Sequence, residues 1–198
     1  MSMSTSPAFS LCVYCGSRAG ARPAYTALAR RLGQAIGQRG WQLVYGGGRA
    51  GLMGEVADAA LASGARVVGV IPDSLMRLEV GHQGLSELHV VQTMHERKHL
   101  MAERADGFVA MPGGIGTFEE LFEVWTWRHL AYHDRPIGLL DAEGYWSPMV
   151  DFLNRSCDEG FMDAKQMAML TVDADVDRLL DTLYARRGSP RLPSLEQI

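Results

Sequence analysis

The segment 112–120, PGGIGTFEE, sets a proline and three glycines directly before a threonine and two glutamates. Glycine lets the backbone reach positive φ and lets a ligand come close to the chain. A glycine loop that opens into a helix aims free N–H groups at one spot, where the helix dipole favours an anion. Thr117 would add a hydroxyl donor. Two more glycine clusters, CGSRAG (15–20) and YGGGRAGLMG (45–54), occur earlier in the chain. One such loop is readily explained as a tight turn that binds nothing. Three at the same edge of a sheet point to an anion.

The glutamates admit two readings. Thr117 to Glu120 is a T-x-x-E capping box, and an acidic first turn complements the helix dipole. Phe118, Leu121, Phe122 and Trp125 take the i, i+3, i+4, i+7 positions of a core face. A carboxylate beside an anion site is nonetheless electrostatically awkward unless the ligand needs it. An oxocarbenium-like ribose carrying a 5′-phosphate has that need: the phosphate lies on the loop amides and the positive C1′ faces the carboxylate, which can also activate water.

A second cluster, TMHERKHLM (93–101), has a similar form. Thr93 and Glu96 make another capping box. Arg97 and Lys98 stand at a helix start, where the dipole disfavours cations. They are either a solvated surface pair or partners of an anion, whether a phosphate or a glutamate such as Glu120. His95 and His99 are four apart, but without H-E-x-x-H they make a weak metal pair.

Short apolar runs alternate with longer amphipathic ones. Strands are expected at 10–15, 41–46, 66–71, 88–92, 107–111, 136–141 and near 169–172. Helices are expected at 22–39, 51–63, 94–105, 117–130, 146–159 and 174–187. The strandless stretch after Pro72, up to about Glu87, reads as a functional loop. This alternation implies a mostly parallel sheet covered on both faces: an α/β, Rossmann-like three-layer sandwich. Its ligands would sit beyond the carboxyl ends of the strands at a switch point, where the glycine clusters fall. One domain is expected over 10–187, with a disordered N-terminus at 1–9 and a flexible tail at 188–198.

The chain has 198 residues, 47% of them apolar, and a formal charge of −4. That charge argues against nucleic-acid binding. No apolar run approaches the length of a membrane helix, and the N-terminus lacks a signal-peptide pattern, so a cytoplasmic protein is expected. Cys12 and Cys15 form a C-x-x-C inside a strand, where they face opposite sides and read as buried thiols. No P-loop pattern is present. Gly46, Gly48 and Gly51, with Asp73, match a dinucleotide fingerprint, but after the second strand and with the aspartate in a loop.

The paired motifs resemble those of the LONELY GUY (LOG) family of cytokinin riboside 5′-monophosphate phosphoribohydrolases. PGGIGTFEE matches its P-G-G-x-G-T-x-x-E signature and MHERK (94–98) its second motif. The likeness continues through VYCGSR, YGGGRAGLMG, GVIP, Glu79-x-x-His82, EVWTW and GFM at 160–162, covering roughly residues 10–185. The resemblance implies hydrolysis of the N-glycosidic bond of a nucleoside 5′-monophosphate, to free base and ribose 5-phosphate. The substrate would be AMP or a cytokinin riboside monophosphate. It implies catalytic roles for Arg97 and Glu120, and phosphate or nucleotide contacts at Ser17, Gly47, Gly48, Gly113, Gly114, Gly116 and Thr117. Glu79, His82, Met94 and Lys98 would lie on the base or ribose side. It implies a homodimer and neither metal nor organic cofactor. A general purine 5′-nucleotide nucleosidase and a non-catalytic nucleotide carrier are the alternatives. The older label of lysine decarboxylase fits poorly, because a pyridoxal phosphate enzyme needs a Schiff-base lysine. Only Lys98 and Lys165 are lysines.

Overall fold

The computed structural model describes residues 7–79 and 81–188. Seven parallel strands form one sheet: β1 Ser10–Tyr14, β2 Gln42–Tyr45, β3 Arg66–Pro72, β4 Glu87–Val91, β5 Gly107–Ala110, β6 Ile137–Leu140 and β7 Leu170–Asp173, in the order β4-β3-β2-β1-β5-β6-β7. The chain builds outward from β1 to β4, then returns to the other side of β1 for β5 to β7. The order therefore reverses between β1 and β5. Neighbouring connections leave the sheet toward opposite faces there, opening a crevice beyond the strand ends.

The helices are α1 Pro23–Gln38, α2 Gly51–Ala62, α3 Asp73–Glu79, α4 Met94–Glu103, α5 Ile115–His129, α6 Ser147–Asp158, α7 Ala164–Met167 and α8 Val176–Ala185. Strand alternation divides the core. Leu11 and Val13 of β1 join the layer of α1, α2 and α8. Cys12 and Tyr14 join the layer of α4, α5 and α6. Cys12 and Cys15 thus lie in separate layers as buried free thiols, and burial pushes both well above the ordinary thiol range.

Four features depart from the sequence expectation. The stretch after Pro72 carries the short helix α3, and its return leg is pinned to the loop after β2, where the His82 N–H donates to the Gly47 carbonyl at 3.0 Å. The four-residue α7 is additional. Helix α5 begins two residues before the expected start, with Gly114 as N-cap and no side-chain cap. Phe9, placed in the disordered terminus, is buried, its ring 4.7 Å from Trp41 and 5.6 Å from Tyr184. Residues 1–6 and 189–198 of the expected termini lie outside the described residues.

Helices α1 and α2 approach closely because Gly33 has no side chain. A Cβ there would stand 2.4 Å from the Val56 carbonyl oxygen and 2.8 Å from the Ala59 Cβ. Alanine should gain about 1 kcal/mol in helix propensity at Gly33, but both close atoms belong to packed backbone or a short side chain that cannot yield cheaply. Gly33→Ala is therefore expected to lower stability by a net of about 2 kcal/mol, or roughly 4–8 °C in Tm. A thermal melt showing Gly33→Ala at or above wild type would refute this packing account.

Candidate active site

A cavity of about 560 Å³ occupies the crevice between β1 and β5. The loop after β1 and the PGGIGT loop with the start of α5 both line it. The two loops are tied: the Gly16 N–H donates to the Pro112 carbonyl at 3.1 Å, and a Cβ on Gly16 would meet the Gly113 Cα at 3.3 Å. Gly113 is bare because Thr117 folds back on it, with Oγ1 only 2.1 Å from where a Cβ would sit.

In α5 the first helical hydrogen bond runs from the Phe118 N–H to the Gly114 carbonyl. The amides of Ile115, Gly116 and Thr117 precede it and have no acceptor within the helix. Nothing lies within 4 Å of a Cβ built on Gly114 or Gly116. The protein's own packing therefore does not require either glycine.

Because α5 starts at Ile115, Thr117 is its third residue and Glu120 lies in the second turn. Glu120 caps nothing; the T-x-x-E pattern is not used as a capping box. Its side chain is instead buried against the cavity. The other box forms as expected: Thr93 Oγ1 accepts from the Glu96 N–H at 3.1 Å, and the Glu96 carboxylate accepts from the Gln92 and Thr93 N–H groups. Glu96 thereby fixes the start of α4.

Arg97 extends from α4 into the same cavity and is also buried. Its Nε donates to the Val70 carbonyl at 3.2 Å, its Nη2 to the Gly46 carbonyl at 3.4 Å, and its Nη1 lies 3.4 Å from Glu120 Oε1. Gly46 makes room for it, since a Cβ there would overlap Nη2 at 2.0 Å. Burial pushes the Glu120 carboxyl up to about 7; Arg97 pulls it down, Glu119 pushes up, Lys98 pulls down and Glu123 pushes up.

The cavity brings together Arg97, Glu120, Ser17, Gly113, Gly114, Gly116 and Thr117. The remaining candidates lie elsewhere. A Cβ on Gly47, which lies at positive φ, would meet Ile71 at 3.2 Å and Leu88 at 3.3 Å, and Gly48 bridges to Gly81. Lys98 bonds Glu119 at 2.8 Å and Glu123 at 3.0 Å on the outer side of α5. Met94 is exposed. His82 lines a separate cavity beside α3, its Nε2 2.9 Å from Asp58 Oδ1. The Glu79 side chain lies outside the described residues.

The fingerprint-like glycines serve internal packing. Gly46 clears Arg97, and Gly51, at φ +58, clears the Ser17–Arg18 backbone. The Leu52 N–H in the first turn of α2 is taken by the Gly16 carbonyl. Sequence reasoning missed Gly46, Tyr25 and Tyr145, which also line the cavity. The Tyr145 hydroxyl donates to the Gly113 carbonyl. It sits on a turn after β6, at the same sheet edge as the glycine loops, and that position was the available signal.

A family model described as "Possible lysine decarboxylase" matches residues 53–183. A cytokinin riboside 5′-monophosphate phosphoribohydrolase of Rhodococcoides fascians is 47% identical over 169 residues, 85% of each chain. The chain belongs to the LONELY GUY family. An enzyme of the same name from Arabidopsis thaliana is 46% identical over 152 residues, 77% of this chain and 70% of that one. Among solved structures, the molybdenum cofactor carrier protein of Chlamydomonas reinhardtii superposes with a TM-score of 0.68 at 23% identity, covering 89% of this chain and 97% of that one. The molybdenum cofactor binding protein of Rippkaea orientalis gives 0.68 at 18% identity, covering 93% and 98%. At those identities the likeness shows the shared fold. The decarboxylase in the family model's description does not fit the side chains: no lysine lines the cavity, Lys98 being ion-paired outside it and Lys165 exposed on α7.

The folded Glu120 holds its proton more tightly than an unfolded glutamate near 4.5. Its contribution to stability is therefore intact below about pH 4.5 and is lost as pH rises through about 7. The loss is on the order of 3 kcal/mol. Glu120→Gln cannot titrate, and its amide oxygen can still accept from Arg97. Its Tm should gain on wild type between pH 5 and pH 8 by roughly 6–12 °C. A constant difference across that range would show that Glu120 titrates normally.

Proposed function

We propose that the chain hydrolyses the N-glycosidic bond of a cytokinin riboside 5′-monophosphate, releasing the free base and ribose 5-phosphate. One observation carries this reading. A buried carboxylate with a single arginine partner faces the same cavity as the unpaired amides of a helix start. The relatives with about 46% identity and over two thirds of their length covered, which bear that activity in their names, support it.

The 5′-phosphate lies on the Ile115–Thr117 amides, with Ser17 and the Thr117 hydroxyl beside it. The bareness of Gly114 and Gly116, which the protein's packing does not explain, then follows from close approach of the phosphate to the backbone. Glu120, ionised through Arg97, faces C1′. As the bond from C1′ to the base nitrogen lengthens, positive charge develops on the ribose and the fixed carboxylate stabilises it. Glu120 also takes a proton from the attacking water, whose oxygen bonds to C1′, and the departing base nitrogen gains a proton from solvent.

The protein acts as a homodimer in the cytoplasm. Exposed Met94 and Phe122 support a dimer: they leave apolar surface on α4 and α5. Among the described residues no helix is long and apolar enough to cross a membrane.

Incubation with AMP and with isopentenyladenosine monophosphate, followed by assay of free base, tests the reading. Release from the second substrate is expected, with loss of about a hundred- to a thousand-fold in kcat for Glu120→Gln. Turnover in a folded Glu120→Gln protein would remove Glu120 from the mechanism. Preference for AMP would make the enzyme a general purine 5′-nucleotide nucleosidase, and binding without release would make it a carrier. The active form is the ionised one, so kcat/KM should fall as pH drops through about 7. Arg97→Met removes the counter-charge and should move that limb to higher pH. Gly116→Ala separates folding from binding: it should leave stability unchanged or raise it by up to about 1 kcal/mol through helix propensity, yet raise KM. An unchanged KM would place the phosphate elsewhere.

A further inference from the structure

Anion binding by backbone requires more than free N–H groups. Carbonyl oxygens on the same wall carry partial negative charge and repel the ligand unless they are occupied. The PGGIGT loop has two such carbonyls directly before α5. That of Pro112 accepts the Gly16 N–H at 3.1 Å. That of Gly113 accepts the Tyr145 hydroxyl. We propose that Tyr145 is a positioning residue for substrate phosphate, holding the Gly113 carbonyl so that the wall presents N–H groups to the anion. The inference rests on the nucleotide reading above and assigns it a residue from outside the glycine loops.

The peptide in question joins Gly113 to Gly114. Glycine on both sides tolerates either orientation of that plane, so local sterics do not fix which way its carbonyl points. Tyr145 does, and its own position is firmly held. The Tyr145 N–H donates to the Ala142 carbonyl at 3.0 Å. The next residue, Trp146, is fully buried; its N–H donates to Asp141 Oδ1 at 2.7 Å, and Asp141 Oδ2 accepts the Ser147 hydroxyl at 3.1 Å. The Trp146 ring meets Phe118 of α5 edge-on at 5.8 Å, and Tyr25 of α1 meets the Tyr145 ring at 6.0 Å. The turn after β6 therefore braces the first turn of α5 at the cavity wall.

Calorimetry with AMP and with adenosine, and steady-state kinetics with isopentenyladenosine monophosphate, test this on wild type and Tyr145→Phe. That substitution removes the hydroxyl and keeps the ring. AMP affinity should weaken and KM rise by about ten-fold, the effect of one neutral hydrogen bond. Adenosine affinity and kcat should each stay within about two-fold of wild type, because the lost contact concerns the phosphate wall alone. Asp141→Ala loosens the turn without touching the cavity and should weaken AMP selectively as well; it decides the matter if Tyr145→Phe does not fold. Unchanged AMP affinity, equal weakening of adenosine and AMP, or a fall in kcat at constant KM would each overturn the proposal. If wild type binds AMP but releases no base from either nucleotide, the hydrolase reading fails, while the AMP–adenosine comparison still decides the role of Tyr145.

Discussion

Arg97 and Glu120 come from different helices and meet with charged atoms 3.4 Å apart in a place where neither is well solvated. Taking two ions out of water costs several kcal/mol each, and their attraction offsets this only when the geometry is good. Here the pair leaves Glu120 poised rather than firmly ionised, pushed up to about 7 despite its partner. A pair selected for stability would show the opposite shift. Much of the local architecture follows from keeping Arg97 in place: the Val70 and Gly46 carbonyls hold two of its nitrogens, and the missing side chain at Gly46 leaves it the space. The guanidinium reaches Glu120 only after crossing beneath the ends of β2 and β3.

The glycines around this pair divide by function. At Gly46, Gly51 and Gly113 another part of the protein occupies the place of a side chain. Their contribution is volume and close approach of chain to chain. At Gly114 and Gly116 the space is empty. Gly116, inside the first turn of α5 with open space beside it, lowers helix propensity and gains nothing in packing. That imbalance is what a site for a ligand on the backbone would leave behind.

Fold class and layer order were legible because strands buried on both faces give near-continuous apolar runs, and the helices between them keep a clear period. The switch point was legible because glycine clusters collect there. Contacts across the sheet were not. Nothing near Gly46 in the sequence announces that an arginine fifty-one residues later will pass over it. Gly47 and Gly48 belong to the same glycine run as Gly46, yet one packs toward Ile71 and Leu88 and the other pairs with Gly81. Composition does not separate three adjacent glycines; the direction of each backbone does. Phe122 shows the same limit on a helix: it shares the apolar period with Leu121 and Trp125 but is exposed.

The segment TFEE shows why a capping pattern cannot settle a catalytic assignment. T-x-x-E is a capping box only if the threonine is the N-cap, and sequence propensity does not fix that frame. Tertiary contact fixes it here. Thr117 must fold onto Gly113, which is held against Gly16, so the chain has to turn helical by Ile115. Starting α5 at Ile115, three residues before the first helical position that a Thr117 cap would set, moves Glu120 from the third helical position to the sixth, about 300° around a helix of 3.6 residues per turn. There it has no free backbone N–H to accept from and can only meet Arg97 and the cavity. The packing of the glycine loop thus frees the carboxylate from a structural role, and the residues that form the anion wall also determine where the acid stands.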